Sequence, residues 1–155
     1  MNPSEPQRAP SEGYFRRLLD SLVHLPGVYQ VTSLLSAVRF VVEGESMQPC
    51  LASREYLLVS RLSYRFSLPS RGDIVVVRDH SSPPVHYIKR IVALPGEHVR
   101  MEKGEVLIDG RPLEEPYAQG SDNAPTPFPN QWLLDNKQYF VLGDNRQDSR
   151  DSRSF

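Results

Sequence analysis

From residue 40 onward the chain alternates short runs of Val, Ile, Leu and aromatic residues with clusters of Gly, Pro, Asp and Ser, the pattern of strands punctuated by turns. The runs fall at residues 40–43, 55–60, 73–78, 85–94, 98–102, 105–108 and 138–142. Each is of strand length and rich in residues that fit a pleated, half-buried surface. This spacing predicts a mainly β domain over residues 40–155. Lys103-Gly104 and Asp109-Gly110 flank one of these runs and read as tight hairpin turns. Residues 115–130 hold Pro116, Pro125, Pro127 and Pro129 without periodicity, which predicts an extended surface loop. Asp135-Asn136-Lys137 then turns the chain into its last strand.

Upstream the pattern changes. Residues 1–12 are rich in Pro, Ser and charge and read as a disordered tail; they have no apolar core that would make them a signal peptide. Residues 13–39 carry two short amphipathic patterns. Residues 14–24 place Phe15, Leu18, Leu19 and Leu22 on one helical face, with Ser11 as a cap and Pro26-Gly27 as the stop. Residues 32–38 form a second, with Leu34, Leu35 and Val38 on its edge. The polar faces are only modestly basic, which favours helices packed on the β domain or a partner over an anchor at the membrane surface. His24, Pro26, Gly27, Gln30 and Arg39 interrupt residues 22–42, so no run of about 20 apolar residues is available to span a bilayer.

Composition narrows the classes without choosing among them. The chain has 155 residues, is 39% hydrophobic and has a net charge of -1 with both signs interspersed, as expected of one enzyme-sized core. No basic stripe with interleaved aromatics occurs, so no nucleic-acid partner is expected. The single cysteine, Cys50, has no internal disulfide partner and reads as a small buried residue. His24, His80, His86 and His98 lack metal-ligand spacing, and neither a metal nor another cofactor is expected.

Candidate chemistry lies in three segments. Ser46 stands within Gly44-Glu45-Ser46-Met47-Gln48-Pro49. Lys89 stands within His86-Tyr87-Ile88-Lys89-Arg90-Ile91-Val92, where strand alternation puts it on one face with Tyr87 and Ile91 and turns Arg90 to the other. A desolvated lysine loses its proton more easily and can then accept the proton of a serine hydroxyl. A lone lysine in an apolar strand more often snorkels to water. The third segment, Gly143-Asp144-Asn145-Arg146-Gln147-Asp148-Ser149-Arg150-Asp151-Ser152-Arg153, would ordinarily be a solvated turn, but it directly follows the strand Tyr139-Phe140-Val141-Leu142, which delivers it to a fixed place.

These segments, in this order, resemble the type I signal peptidases, serine-lysine endopeptidases that remove signal peptides from exported proteins. Residues 40–51 resemble the nucleophile box, Arg71-Gly72-Asp73-Ile74-Val75-Val76-Val77 the next strand, residues 87–97 the lysine box and residues 143–153 the closing box. The resemblance implies an antiparallel β-barrel or sandwich in which Ser46 is the nucleophile and Lys89 the general base. It implies that Ser149 hydrogen-bonds the lysine amine, that Asp151 and Arg153 form an ion pair, and that Asp144 and Asn145 shape the same turn. Gly44, Met47 and Pro49 would shape the nucleophile turn, and Phe40, Val42 and Ile88 would line the substrate pocket. The implied partners are preprotein signal peptides with small residues, typically Ala-x-Ala, before the cut. The implied location is the extracytoplasmic face of a membrane, with adhesion at most through the face of Phe15, Leu18, Leu19 and Leu22.

Three positions depart from the family pattern. Gly44 stands where many members carry a Ser or Thr whose hydroxyl serves the oxyanion, leaving the Ser46 backbone N-H and a second donor from backbone or water. Cys50 replaces a threonine. Family members continue past the closing box into another strand, so the sequence, ending at Ser154-Phe155, is expected to lack it. Two other readings fit the same residues: a non-catalytic or truncated signal-peptidase fold serving as an interaction module, and a self-cleaving repressor with a Ser-Lys pair, which the closing box and the missing DNA-binding domain disfavour.

Overall fold

A computed structural model describes residues 37–79, 82–118 and 129–154. The expected tail, the helix over 14–24 and most of the loop at 115–130 lie outside the described residues. The elements are β1 (Ala37–Val41), β2 (Tyr56–Ser60), the one-turn α1 (Ser63–Phe66), β3 (Ile74–Arg78), β4 (His86–Ala93), β5 (His98–Glu102), β6 (Glu105–Ile108), β7 (Arg111–Pro112), β8 (Gln131–Leu133) and β9 (Phe140–Leu142). Ala37 and Val38 belong to β1, so the helix expected over 32–38 does not reach its predicted end. Val38 is β-branched and continues directly into Arg39-Phe40-Val41, a sequence that suits a strand better than a final helical turn.

The chain divides into two compact units. The first comprises residues 1–38 and 60–66, of which the described part contains α1. The second comprises residues 39–59 and 67–155 and contains most of the strands. Three sheets are present among the described residues: β1-β2, β3-β4-β9 and β7-β6-β5-β8. The fold is mainly β, and the pairings within the three- and four-stranded sheets are antiparallel. Among the described residues the strands form these separate sheets and not one closed barrel.

Both predicted hairpin turns form. Lys103 and Gly104 take positive φ of 49° and 82°, and Asp109 and Gly110 take 50° and 78°. Two successive left-handed residues give the turn whose twist matches paired strands. The first turn closes β5 on β6 with Glu102 opposite Glu105, and the second closes β6 on β7 with Ile108 opposite Arg111. Pro112 confines β7 to a sheet edge, where a missing N-H costs nothing.

Alternate residues of β5 and β6 point inward. Val99, Met101, Val106 and Ile108 meet Val92, Ala93, Leu134, Phe140 and Leu142 in one core, with Leu113 and Trp132 packed against it. The Trp132 and Phe140 rings lie 4.7 Å apart at a tilt of 50°, a favourable aromatic arrangement. β4 is the middle strand of its sheet, pairing with β3 on one side and β9 on the other. Its last five residues are all buried, and two of them are Lys89 and Arg90. No helix among the described residues is long and apolar enough to cross a membrane.

Candidate active site

Lys89 lies opposite Val75 of β3 and is 2% exposed. Its amine donates to Ser46 Oγ at 2.7 Å and to the Ile88 carbonyl at 2.8 Å. Burial lowers the Lys89 pKa from the ordinary 10.5; Asp151 and Asp144 pull it up, and Arg153 adds to the depression. Desolvation dominates because the ammonium form is the one that loses water. In the neutral form the same contact reverses, with the Ser46 hydroxyl donating its proton to the amine lone pair. This geometry can activate a serine for attack on a carbonyl.

The nucleophile turn is built locally. Gly44 sits at φ +86°, a conformation that costs glycine little and other residues more. The Gln48 N-H donates to the Glu45 carbonyl, and the Leu51 N-H to the Met47 carbonyl. Met47 is buried beneath the turn, whereas Pro49 lies on the surface. Cys50 is exposed rather than buried. It falls in this surface turn rather than on a strand, and it lies beside the Arg90 guanidinium.

Residues 143–153 lock onto that turn. The Asn145 N-H donates to the Ser46 carbonyl at 3.0 Å, and the Asn145 side-chain amide reaches the Glu45 carbonyl at 3.4 Å. Gly143 presses against the same place: a Cβ there would sit 2.5 Å from Ser46 O and 2.3 Å from Ser149 Oγ. Gly143→Ala is therefore expected to destabilise the protein by about 1–3 kcal/mol through overpacking and to slow any Ser46 chemistry. Thermal unfolding and turnover measured together check this.

Arg153 and Arg90 fix the segment. Arg153 pairs with Asp151 through two hydrogen bonds of 2.8 and 2.9 Å and also donates to the Arg146 carbonyl. Burial alone would raise the Asp151 carboxyl; hydrogen bonds from Arg153 and the Gly143 N-H, helped by the nearby Ser149 hydroxyl, outweigh it and hold the pKa below its ordinary value. Arg90 grips Asp144 in a two-pronged contact at 2.8 and 2.7 Å, and its third nitrogen donates to the Gly72 carbonyl. Asp144 is completely buried. Asp144→Ala would strand the Arg90 charge, so its expected cost is about 3–5 kcal/mol, read as a fall in the unfolding midpoint.

Ser149 departs from the expected arrangement. Its hydroxyl is buried and makes no hydrogen bond among the described residues, although it lies near enough to Asp151 to help lower that carboxyl. The lysine amine is instead directed to Ser46 Oγ and the Ile88 carbonyl. Phe40, Val42 and Ile88 line one cavity of about 380 Å³ with Ser46, Met47 and Lys89. Val85, His86 and Tyr87 also line it, and the His86 ring stands 5.9 Å from that of Phe40.

Glu115, Tyr117 and Arg146 also belong to the site, although no sequence motif singles them out. Arg146 is 1% exposed, donates through Nε to the Gly143 carbonyl, and meets Glu115 with two hydrogen bonds of 2.9 and 2.6 Å. The signal available was Glu115-Pro116-Tyr117 itself, an acid and an aromatic about a rigid proline at the start of a proline-rich segment.

The signal peptidase, peptidase S26, family model matches residues 15–155. The chain is 40% identical over 124 residues to signal peptidase I S of Bacillus subtilis, covering 74% of this chain and 65% of that protein. It is 37% identical over 132 residues to signal peptidase I of Leptolyngbya laminosa, covering 79% and 62%. A signal peptidase I crystal structure from Enterococcus faecalis aligns with a TM-score of 0.44 and 33% identity, over 56% of this chain and 86% of that one. The chain thus spans a little under two thirds of the length of these curated relatives.

Proposed function

Because the chain belongs to the signal peptidase, peptidase S26, family, we propose that it is a serine endopeptidase that removes signal peptides from exported preproteins. The observation that carries this reading is the 2.7 Å contact between the Lys89 amine and Ser46 Oγ at a lysine that burial inclines toward its neutral form. Lys89 takes the Ser46 proton as Oγ attacks the scissile carbonyl. The tetrahedral intermediate collapses to an acyl-enzyme, and the amine passes the proton to the departing N-terminus of the mature protein. Lys89 then draws a proton from water for deacylation. The Ser46 N-H supplies one oxyanion donor, and with Gly44 in place of a hydroxyl-bearing residue the second comes from backbone or water.

The signal peptide lies extended along the groove. Phe40, Val42 and Ile88 supply apolar walls beside Ser46 in the same cavity, where the side chains before the cut would rest. The family resemblance supports substrates of the Ala-x-Ala type and work at the extracytoplasmic surface of a membrane. Incubation with a preprotein ending in Ala-x-Ala tests the reading. One cut after the second alanine is expected, and a bulky residue in its place should block it. Failure to cut any such preprotein, with the substrate presented in lipid vesicles, would overturn the proposal.

A further inference from the structure

Residues 115–117 hold the two arginines that hold the site. The Glu115 carboxylate takes both terminal nitrogens of Arg146, and its side chain is only 8% exposed. The Tyr117 hydroxyl donates to the same carboxylate at 3.1 Å. The Tyr117 ring lies 4.1 Å beneath the Arg90 guanidinium, within the range of a cation-π contact. Arg146 carries the Gly143 carbonyl, and Arg90 carries Asp144. Each arginine therefore links residues 115–117 to a residue adjoining the Ser46 turn.

We infer that Glu115 and Tyr117 are positioning residues for the Ser46–Lys89 pair, acting through Arg146 and Arg90 to hold residues 143–153 against the Ser46 turn that the Lys89 amine contacts. The inference rests on the proposed peptidase reading and extends it to a segment outside the three boxes. The Lys89 environment explains the consequence. Its amine is faced by the Ser46 hydroxyl from the nucleophile turn, by Tyr87 on its own strand with Arg150 over the same ring, and by apolar Val75 of β3. From residues 143–153 it feels Asp144, Asp148, Asp151 and Arg153. Loosening that segment admits water, and a rehydrated lysine regains its ordinary affinity for a proton.

The experiment follows the Lys89 side-chain nitrogen by NMR through a pH titration and measures turnover of a signal-peptide substrate, in the unaltered chain, Glu115→Gln and Tyr117→Leu. Both variants should titrate Lys89 at higher pH. At neutral pH kcat should fall about tenfold, since small misplacements of a reacting group are costly, while KM stays within about twofold. A folded Glu115→Gln protein whose Lys89 titrates as in the unaltered chain, and whose kcat is unchanged, overturns the inference. If Glu115→Gln does not fold, the same result in Tyr117→Leu, which keeps the ion pair, overturns it. An unaltered chain that cuts no substrate would instead defeat the peptidase reading, and the titration would still decide whether residues 115–117 control the lysine.

Discussion

Ser46→Ala is expected to abolish preprotein cleavage, with turnover falling by roughly 10⁴-fold or more, while the thermal unfolding midpoint moves little. The change removes one hydroxyl. Its contact with the lysine amine is lost, but the turn's backbone bonds do not pass through Oγ: Asn145 N-H holds the Ser46 carbonyl, and Gln48 N-H the Glu45 carbonyl. Only covalent chemistry depends on Oγ. Cleavage at an undiminished rate by the folded variant would remove Ser46 from its assigned role.

Lys89→Arg should be as damaging to activity as Lys89→Met, because a guanidinium stays protonated and cannot take the serine proton. The two variants should part in stability. Burial depresses the lysine pKa in the folded state, so between the folded pKa and the ordinary value of 10.5 the unfolded chain binds the extra proton, and stability rises with pH across that window. Below the folded pKa the buried charge costs stability in full. Lys89→Met removes this cost and should be more stable than the unaltered chain at acidic and neutral pH, with the difference shrinking as pH rises. Lys89→Arg keeps a permanent charge in the same space and should be the least stable of the three. The unaltered enzyme should gain activity with pH through the depressed lysine pKa, and a profile lost in His86→Ala would point to a histidine base instead. Unfolding midpoints and cleavage rates across pH settle both points.

Strands that alternate cleanly were legible in the sequence. β5 and β6 begin and end where expected, because period-2 burial and the Lys103-Gly104 and Asp109-Gly110 turns specify the same register. β7 and β8 were not legible. Arg111-Pro112 is too short for a period and contains a residue that argues against a strand, and Gln131-Trp132-Leu133 stands beside the Pro-rich segment, its pairing set by contact with β5. The site divides in the same way. Ser46 and Lys89 were visible as motif residues, and strand alternation placed Lys89 apart from Arg90. Alternation could not show that β4 is buried on both faces, which makes Arg90 a second internal charge in need of Asp144. Glu115 was read as the start of a surface loop, since nothing local marks a carboxylate whose partner, Arg146, lies 31 residues away. Ser149 was placed by family pattern, and its hydroxyl position depends on how closely Gly143 packs, which is a tertiary matter.

The central claim is that Ser46, activated by Lys89, carries the acyl group. Acid quenching of a signal-peptide substrate reaction during its first turnover, followed by proteolysis and mass spectrometry, locates that group directly. The account predicts an acyl adduct on Ser46 in the unaltered chain and none in Lys89→Arg. An adduct on the exposed thiol of Cys50, or an adduct on Ser46 formed equally well in Lys89→Arg, would contradict it.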